Sequence, residues 1–382
     1  MENKSLKQII ANRLEKLDKI RQLGVNPYPY EFNVTCSTSD INKDSVDKKV
    51  SVAGRVMSLR KMGKAAFANI QDANGRVQLY IARDDVGEEN YNLFKLVDIG
   101  DFIGIDGIVF ITKTDALTVK AEKVTVLSKN LRPIPDVKEK DGEKYNSVSD
   151  KELRYRKRYI DMIINPETKD NYIKRFKIIN SIREFLNKNG YIEVETPVLQ
   201  PVYGGANAKP FKTFHNALDQ EFFLRIATEL YLKQLIVGGF EKVYEMSKDF
   251  RNEGIDRSHN PEFTMLEFYQ AYSDYNFMMD FVEKMFKKVA KDLGLKKISW
   301  DGNDIDLSKK FARKTMDELI KEHTGHSIDL TDSKAVFDVC KKLDLKVKKT
   351  DSLAKMIDEI MRRKIETNLI NKSLREQYEL RK

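Results

Sequence analysis

Between Val243 and Ala271 the chain reads VYEMSKDFRNEGIDRSHNPEFTMLEFYQA, two arms rich in aromatic and apolar residues around a polar run from Asn252 to Pro261. Two strands joined by a long charged loop satisfy that pattern. Side chains alternate between faces along an extended chain, so Glu245, Ser247, Asp249 and Arg251 share one face of the first arm, with Tyr244, Met246 and Phe250 on the other. On the returning arm Phe263, Met265, Glu267 and Tyr269 share a face, opposite Thr264, Leu266 and Phe268. One face of the hairpin thus combines arginine, carboxylates and rings. Such a surface suits a ligand that is part anion, part cation and part flat. Arg251 can fork onto phosphate or carboxylate oxygens, Phe263 can stack on a purine, and Glu267 with Tyr269 can hold an ammonium group. The competing reading is a solvated hairpin whose charges pair with each other.

The whole chain sets wider limits. Its 382 residues allow two or three domains, and 41% apolar content is enough for real cores. A net charge of +9 and a pI near 9.1 point to a polyanionic partner. Cys36 and Cys340 lie far apart with no CxxC, which argues against a disulfide framework or a zinc site and fits a reducing, cytoplasmic setting. His215, His323 and His326 are too scattered for a metal cluster. No apolar run of membrane-spanning length occurs, so no membrane partner is expected.

Residues 3 to 23 read as an amphipathic helix, with Leu6, Ile9, Ile10, Leu14, Leu17, Ile20 and Leu23 at helical spacing. Its basic residues, Lys7, Arg13, Lys16, Lys19 and Arg21, either line RNA phosphates or form a plain solvated face. From Lys49 to Ser128 five alternating segments, SVAGRVMSL, AFANIQD, RVQLYIA, DFIGIDGIVFI and ALTVKAEKVTVL, with a helical insert near Tyr91 to Leu96, predict a small barrel of the OB type. Phe67, following Arg60, Lys61 and Lys64, is either core or a base-stacking platform, and the Gln78 amide can read a base edge. Residues 130 to 150, NLRPIPDVKEKDGEKYNSVSD, have linker composition. The expected domains are therefore a helix and connector (1–46), a barrel (47–130), a linker (131–152) and a second domain (153–382). Arg154, Arg156 and Arg158, alternating with Tyr155 and Tyr159, read as a brace in preference to an RNA contact.

In the second domain Asn165-Pro166 starts a helix whose apolar stripe is Phe176, Ile179, Ile182, Phe185 and Leu186, and Gly190 ends it. A strand, YIEVET, then stops at Pro197. Gly204 and Gly205 permit close backbone approach to a small ligand, or simply form a turn. Thr228 is expected to cap a helix whose first turn holds Glu229. Helices follow at 276–293, 313–322 and 353–370, with a short strand or turn around Trp300.

The string FRNEG followed by R-x-HNPEFTMLEFY resembles motif 2 of the class II aminoacyl-tRNA synthetases. Together with GGANAKPF, HNALD and LRIATELYLKQLIVGGFE it is similar to the lysyl members of the aspartyl, asparaginyl and lysyl subgroup. The barrel segment GRVMSLRKMGKAAFANIQDANGRVQLY likewise resembles the anticodon-binding barrel of those enzymes. The resemblance implies an α+β fold of two domains, an N-terminal OB-fold barrel followed by an incomplete class II antiparallel sheet flanked by helices. It also implies motif 1 at about 172–197 as a homodimer interface and motif 2 at about 243–271. The ligands it implies are ATP with Mg²⁺, L-lysine and tRNA(Lys), and the activity it implies is lysine-tRNA ligation.

By the same resemblance Arg251, Glu253, His259, Asn260 and Phe263 bind ATP, with Arg251 the catalytic residue. Gly204, Gly205, Glu229, Arg251, Glu267 and Tyr269 bind lysine, and Arg60, Phe67 and Gln78 bind the anticodon, the Phe and Gln engaging its central U. No metal ligand is expected among these residues. The substrate carboxylate, ionised at neutral pH, attacks the α-phosphorus of ATP, so the site needs alignment and positive charge and no protein base.

After Ala271 the resemblance thins, and motif 3, a Gly-rich strand and helix with an arginine for the γ-phosphate, has no counterpart. The expectation is that this polypeptide activates lysine poorly or not at all. A non-catalytic RNA-binding or dimerising relative is the alternative reading.

Overall fold

The structure, a computed structural model, describes residues 5–135, 137–140, 143–146, 151–256, 259–300, 302–366 and 369. Part of the expected linker, the end of the expected helix at 353–370 and the polar tail NKSLREQYELRK lie outside the described residues.

Helix α1 (Leu6–Gln22) opens on a capping box in which Ser5 and Gln8 satisfy each other's backbone N–H groups. Its inward side is not wholly apolar. Leu17 and Ile20 are buried, but so is Arg13, whose guanidinium donates to the Asn130 carbonyl at 2.6 Å and the Ile99 carbonyl at 3.1 Å. Lys16 pairs with Asp98 at 2.5 Å. Neither alternative offered for these two cations, RNA phosphates or a solvated face, holds: both are consumed in docking α1. Leu6, Leu14 and Leu23, counted in the apolar stripe, are exposed.

Five strands close a barrel in the order β1-β2-β3-β5-β4: β1 (Lys49–Met62), β2 (Ala65–Gln71), β3 (Arg76–Ala82), β4 (Phe102–Ile111) and β5 (Leu117–Ser128). Alternation selects the inward set, and Val52, Val56, Ile70, Leu79, Ile81, Ile103, Ile105, Val119 and Val126 are fully buried. Between β3 and β4 runs α2 (Arg83–Lys95), longer than the predicted insert because two turns merge across Gly87 at φ 80°. Gly107 lies inside β4 at a register shift, where a Cβ would fall 2.1 Å from the Lys120 carbonyl oxygen. Only glycine lets the two strands close there.

Backbone pairing continues into the linker, where β6 (Val137–Lys140) and β7 (Glu143–Asn146) form an antiparallel ribbon that the composition does not announce. Helices α3 (Lys151–Arg156) and α4 (Arg158–Ile164) follow. Arg154, Arg158, Asn165 and Thr168 all donate to Asp161, which is fully buried. Burial alone would raise that carboxyl, but the four donors outweigh it and hold it at about 2. Arg156 instead pairs with Glu152 at the surface.

The chain divides into two compact units, 1–168 and 169–382, in the first turns of α5 (Pro166–Lys188). Helix α5 ends at Gly190 in the left-handed conformation. Leu186 is buried with Tyr191, Tyr244 and Phe281, and Ile182 and Phe185 pack against them. Phe176, assigned to the same stripe, is 59% exposed. The expected strand YIEVET shrinks to β8 (Ile192–Glu193). It joins β12 (Lys242–Phe250) in parallel, and β13 (Glu262–Gln270) completes that sheet antiparallel to β12, so the sheet is mixed and not purely antiparallel. A second sheet has the order β10-β11-β9, from β9 (Leu199–Gln200), β10 (Lys212–His215) and β11 (Gln220–Leu224), and leads into α6 (Glu229–Val237). After the hairpin come α7 (Tyr275–Asp292) and the ribbon β14 (Lys297–Trp300) and β15 (Asn303–Asp306). Then α8 (Met316–Thr324), α9 (Ser333–Lys342) and α10 (Leu353–Ile360), with a π-turn at Met361–Ile365, share a separate apolar core. Helix α9 was not read from the sequence, although Asp332 caps it plainly.

Candidate functional site

The pairing of β12 with β13 sets Glu245 opposite Glu267, Ser247 opposite Met265 and Asp249 opposite Phe263. The face assembled from alternation is therefore one face in the folded chain. Arg251 stands at its tip, where its N–H bonds the Pro261 carbonyl at 2.9 Å. Its guanidinium carbon lies 5.0 Å from the centre of the Phe263 ring. A cation over a ring face is favourable. Glu253, His259 and Asn260 are exposed on the loop beyond, with His259 beside Asp256 at 2.8 Å.

The other end of this face is closed by the start of α6. The Tyr269 hydroxyl donates to Glu267 at 3.2 Å. Burial pushes the Glu267 carboxyl up, against the opposing bonds from Tyr269 and the Thr228 backbone. Glu229 takes the Lys233 ammonium at 2.6 Å, and that ammonium lies 6.0 Å from the centre of the Tyr269 ring. A primary amine is thus already held between a carboxylate and a ring. Gly205, at φ +85°, lies so close that a Cβ would sit 2.8 Å from the Glu229 Cβ, and one on Gly204 would sit 2.7 Å from the Leu230 Cδ1. Gly204, Gly205, Glu229, Glu267 and Tyr269 are thus brought together.

The Thr228 cap is not made. Its φ of −96° and ψ of −6° are helical, whereas a side-chain cap needs the extended region, and no such bond forms.

Beneath the face lies a network that sequence reasoning missed. Arg225, 3% exposed, donates to Glu245 at 2.6 Å, to the Thr196 carbonyl at 3.0 Å and to the Lys248 carbonyl at 2.9 Å. Glu245 in turn accepts from the Thr196 hydroxyl at 2.6 Å. The segment after β8 is therefore tied to β12 through one guanidinium. Asp249 is fully buried, neither of its oxygens has a hydrogen bond among the described residues, and the Arg225 Nε is 3.4 Å away. Burial pushes its carboxyl up to about 6, with Glu267 and Glu245 adding to the rise and Arg225 and Arg251 opposing it. The available signal for Arg225 was a lone charge inside the apolar run FFLRIA.

On the barrel, Phe67 of β2 is opposite Arg60 of β1 and Tyr80 of β3. The Phe67 and Tyr80 rings are 5.1 Å apart, and Tyr80 and Phe110 of β4 are 6.1 Å apart. These rings are half-buried on the outer face, so Phe67 belongs to a row of three and not to the core. Tyr80 and Phe110 escaped the sequence reading, although alternation along RVQLYIA sets Tyr80 on the Gln78 face. Gln78 is half-buried on the same strand, and its Oε1 accepts from the Thr118 hydroxyl at 2.8 Å.

Among the described residues no three His, Cys, Asp or Glu side chains gather as a metal site, and no helix is long and apolar enough to cross a membrane.

Comparison with known proteins gives two family matches: tRNA synthetases class II (D, K and N) over residues 150–377, and the OB-fold nucleic acid binding domain over residues 50–127. The lysine–tRNA ligase of Porphyromonas gingivalis is 48% identical over 94% of this chain, and the chain spans 64% of that relative's length. Those of Azobacteroides pseudotrichonymphae and Thermoanaerobacter pseudethanolicus are 49% and 48% identical, with 74% and 72% of their lengths covered. A catalytic-domain match over more than half the residues, in a chain that also carries the barrel and the Arg251 hairpin, leaves one conclusion: the chain belongs to the class II tRNA synthetases of the D, K and N group.

Proposed function

We infer that the chain serves lysine-tRNA ligation, with ATP and L-lysine bound at the hairpin face and the anticodon of tRNA(Lys) on the barrel. The observation that carries this reading is the joint presence, on one strand face, of Arg251 against Phe263 and of Glu267 bonded to Tyr269 beside Glu229. Two anions that repel each other, the lysine carboxylate and the α-phosphate, are drawn together by Arg251, which absorbs the charge of the transition state. Phe263 stacks the adenine. Glu253, His259 and Asn260 line the loop over the base and outer phosphates. Glu229 receives the α-ammonium, Glu267 and Tyr269 receive the side-chain ammonium, and Gly204 with Gly205 walls the pocket. No protein base is required, because the nucleophile is already ionised.

Mg²⁺, when bound with ATP, supplies neutralisation of phosphate charge. The described residues offer it no cluster of their own, and no step is assigned to it. The second step transfers the lysyl group to the 3′ end of tRNA selected through Arg60, Phe67 and Gln78. A cytoplasmic homodimer joined through motif 1 completes the reading, and the exposed apolar residues of α5, Ile173 and Phe176, support it.

Lysine-dependent exchange of pyrophosphate into ATP is the test. Exchange that falls about 10²- to 10³-fold in Arg251→Ala supports the ligase. Retained RNA binding with no lysine-dependent exchange supports the non-catalytic alternative.

A further inference from the structure

Lys233 brings a primary ammonium of the chain's own into the pocket assigned to an ammonium ligand. It follows Glu229 by one turn of α6, so the two side chains share a face of the helix. Its Nζ lies 2.6 Å from the Glu229 Oε1 and 6.0 Å from the centre of the Tyr269 ring. The Tyr269 hydroxyl carries the line of contacts on to Glu267 at 3.2 Å. Burial is the main cause that pushes the Glu267 carboxyl up, and the Glu229 charge adds to it, so the two carboxylates feel each other across the pocket. Lys233 neutralises the Glu229 carboxylate. It can also leave without disturbing the packing, since its side chain is 56% exposed and its only ion pair among the described residues is the one with Glu229.

We propose that Lys233 is a displaceable counter-ion, an internal stand-in for the ligand's α-ammonium that an α-amino acid must move off Glu229 in order to bind. In the empty pocket it keeps Glu229 and Glu267 from facing each other as two bare like charges. In the filled pocket the ligand's ammonium replaces it, and the Lys233 side chain swings into water. Binding is then an exchange of one ion pair for another, and the net contribution of Glu229 to affinity is the difference between them. An exposed pair four residues apart on a helix is worth about twofold in an equilibrium constant, and more where, as here, the carboxylate side chain is only 31% exposed. The competition lowers affinity for an α-amino acid by roughly two- to fivefold. A ligand without an α-ammonium leaves the Lys233–Glu229 pair in place and meets no such competition. The inference rests on the reading of Glu229 as the α-ammonium acceptor, and deepens it by naming the group that the ligand displaces.

The test uses the full 382-residue chain, titrated calorimetrically with L-lysine and with 6-aminohexanoate, which keeps the carboxylate and terminal ammonium of lysine and lacks the α-ammonium. Lys233→Met retains an unbranched, helix-favouring side chain and removes the charge. It is expected to tighten L-lysine binding by roughly two- to fivefold, and to raise the ratio of L-lysine to 6-aminohexanoate affinity by a similar factor. Lys233→Arg, which keeps a cation within reach of Glu229, is expected to bind L-lysine as wild type does, and thermal melting of each variant separates altered folding from altered affinity. Unchanged or weakened L-lysine binding in Lys233→Met overturns the inference, because Lys233 is then an ordinary helix-surface partner of Glu229. An equal gain for both ligands also overturns it, since the effect is then removal of a charge and not release of Glu229. Glu229→Gln addresses the underlying reading alone. If that variant binds L-lysine as tightly as wild type, or if neither wild type nor Lys233→Met binds L-lysine, Glu229 does not receive the α-ammonium and the inference falls with that reading.

Discussion

Replacing Asp249 by asparagine isolates a buried carboxyl that burial disfavours in its charged form. Its carboxyl is fully buried, has no hydrogen-bond donor among the described residues, and is pushed from 3.8 to about 6, with burial as the main cause. A rise of roughly 2 units is worth about 3 kcal/mol between the protonated and ionised forms. In the unfolded chain the group loses its proton near pH 4; in the folded chain it keeps the proton until about pH 6. Over that interval the folded state binds more protons, so stability falls as pH rises, and above pH 6 the full penalty of about 3 kcal/mol stands. Asp249→Asn removes the titration and preserves the shape, and Arg225 retains Glu245 as its counter-ion at 2.6 Å. Urea unfolding followed by circular dichroism, at pH values from 4 to 8, is the assay. The variant is expected to match wild type near pH 4 and exceed it by up to about 3 kcal/mol at pH 7.5. A stability difference that stays constant across this range, or one that favours wild type increasingly as pH rises, refutes the reasoning.

Arg225→Met should cost about 3–5 kcal/mol of unfolding free energy in the same assay, since Glu245 would be left buried without its cation. A loss under 1 kcal/mol contradicts the hub role. Gly205→Ala forces a Cβ into φ +85° and to 2.8 Å from the Glu229 Cβ. It should cost about 1–3 kcal/mol and weaken lysine binding measured by calorimetry, through displacement of Glu229. Phe67→Ala should weaken binding of single-stranded RNA by about 1–3 kcal/mol in fluorescence titration, with a melting temperature close to wild type because the ring is on the outer face.

Strand alternation carried most of what was legible. The barrel's five strands and the hairpin register follow from period-two patterning with turn residues between, and local rules of that kind survive folding. Glu245, Asp249, Phe263 and Glu267 were assigned to one face for the same reason, and they lie on it. Three of the misses have a common cause. Arg13, Lys16 and Arg225 are basic residues whose partners are carbonyls and carboxylates distant in sequence, such as Asn130, Asp98 and Glu245. No local pattern separates a docking arginine from a solvated one. Thr228 failed as a cap because its backbone conformation, set by the β11 to α6 connection, overrides the preference of its side chain. The three-ring row reached Phe110 only through the parallel pairing of β3 with β5, strands that are not neighbours in sequence.

In the proposed pocket Glu267 and Tyr269 hold the side-chain ammonium of lysine. Calorimetric titration of the chain with L-lysine and with norleucine, its uncharged analogue of similar length, tests this most directly when repeated on Glu267→Gln. Preference for lysine over norleucine by at least about tenfold, lost in the variant, is the predicted result, equivalent to one charge-assisted hydrogen bond. Equal binding of the two amino acids by wild type, or an unchanged preference in Glu267→Gln, would contradict it.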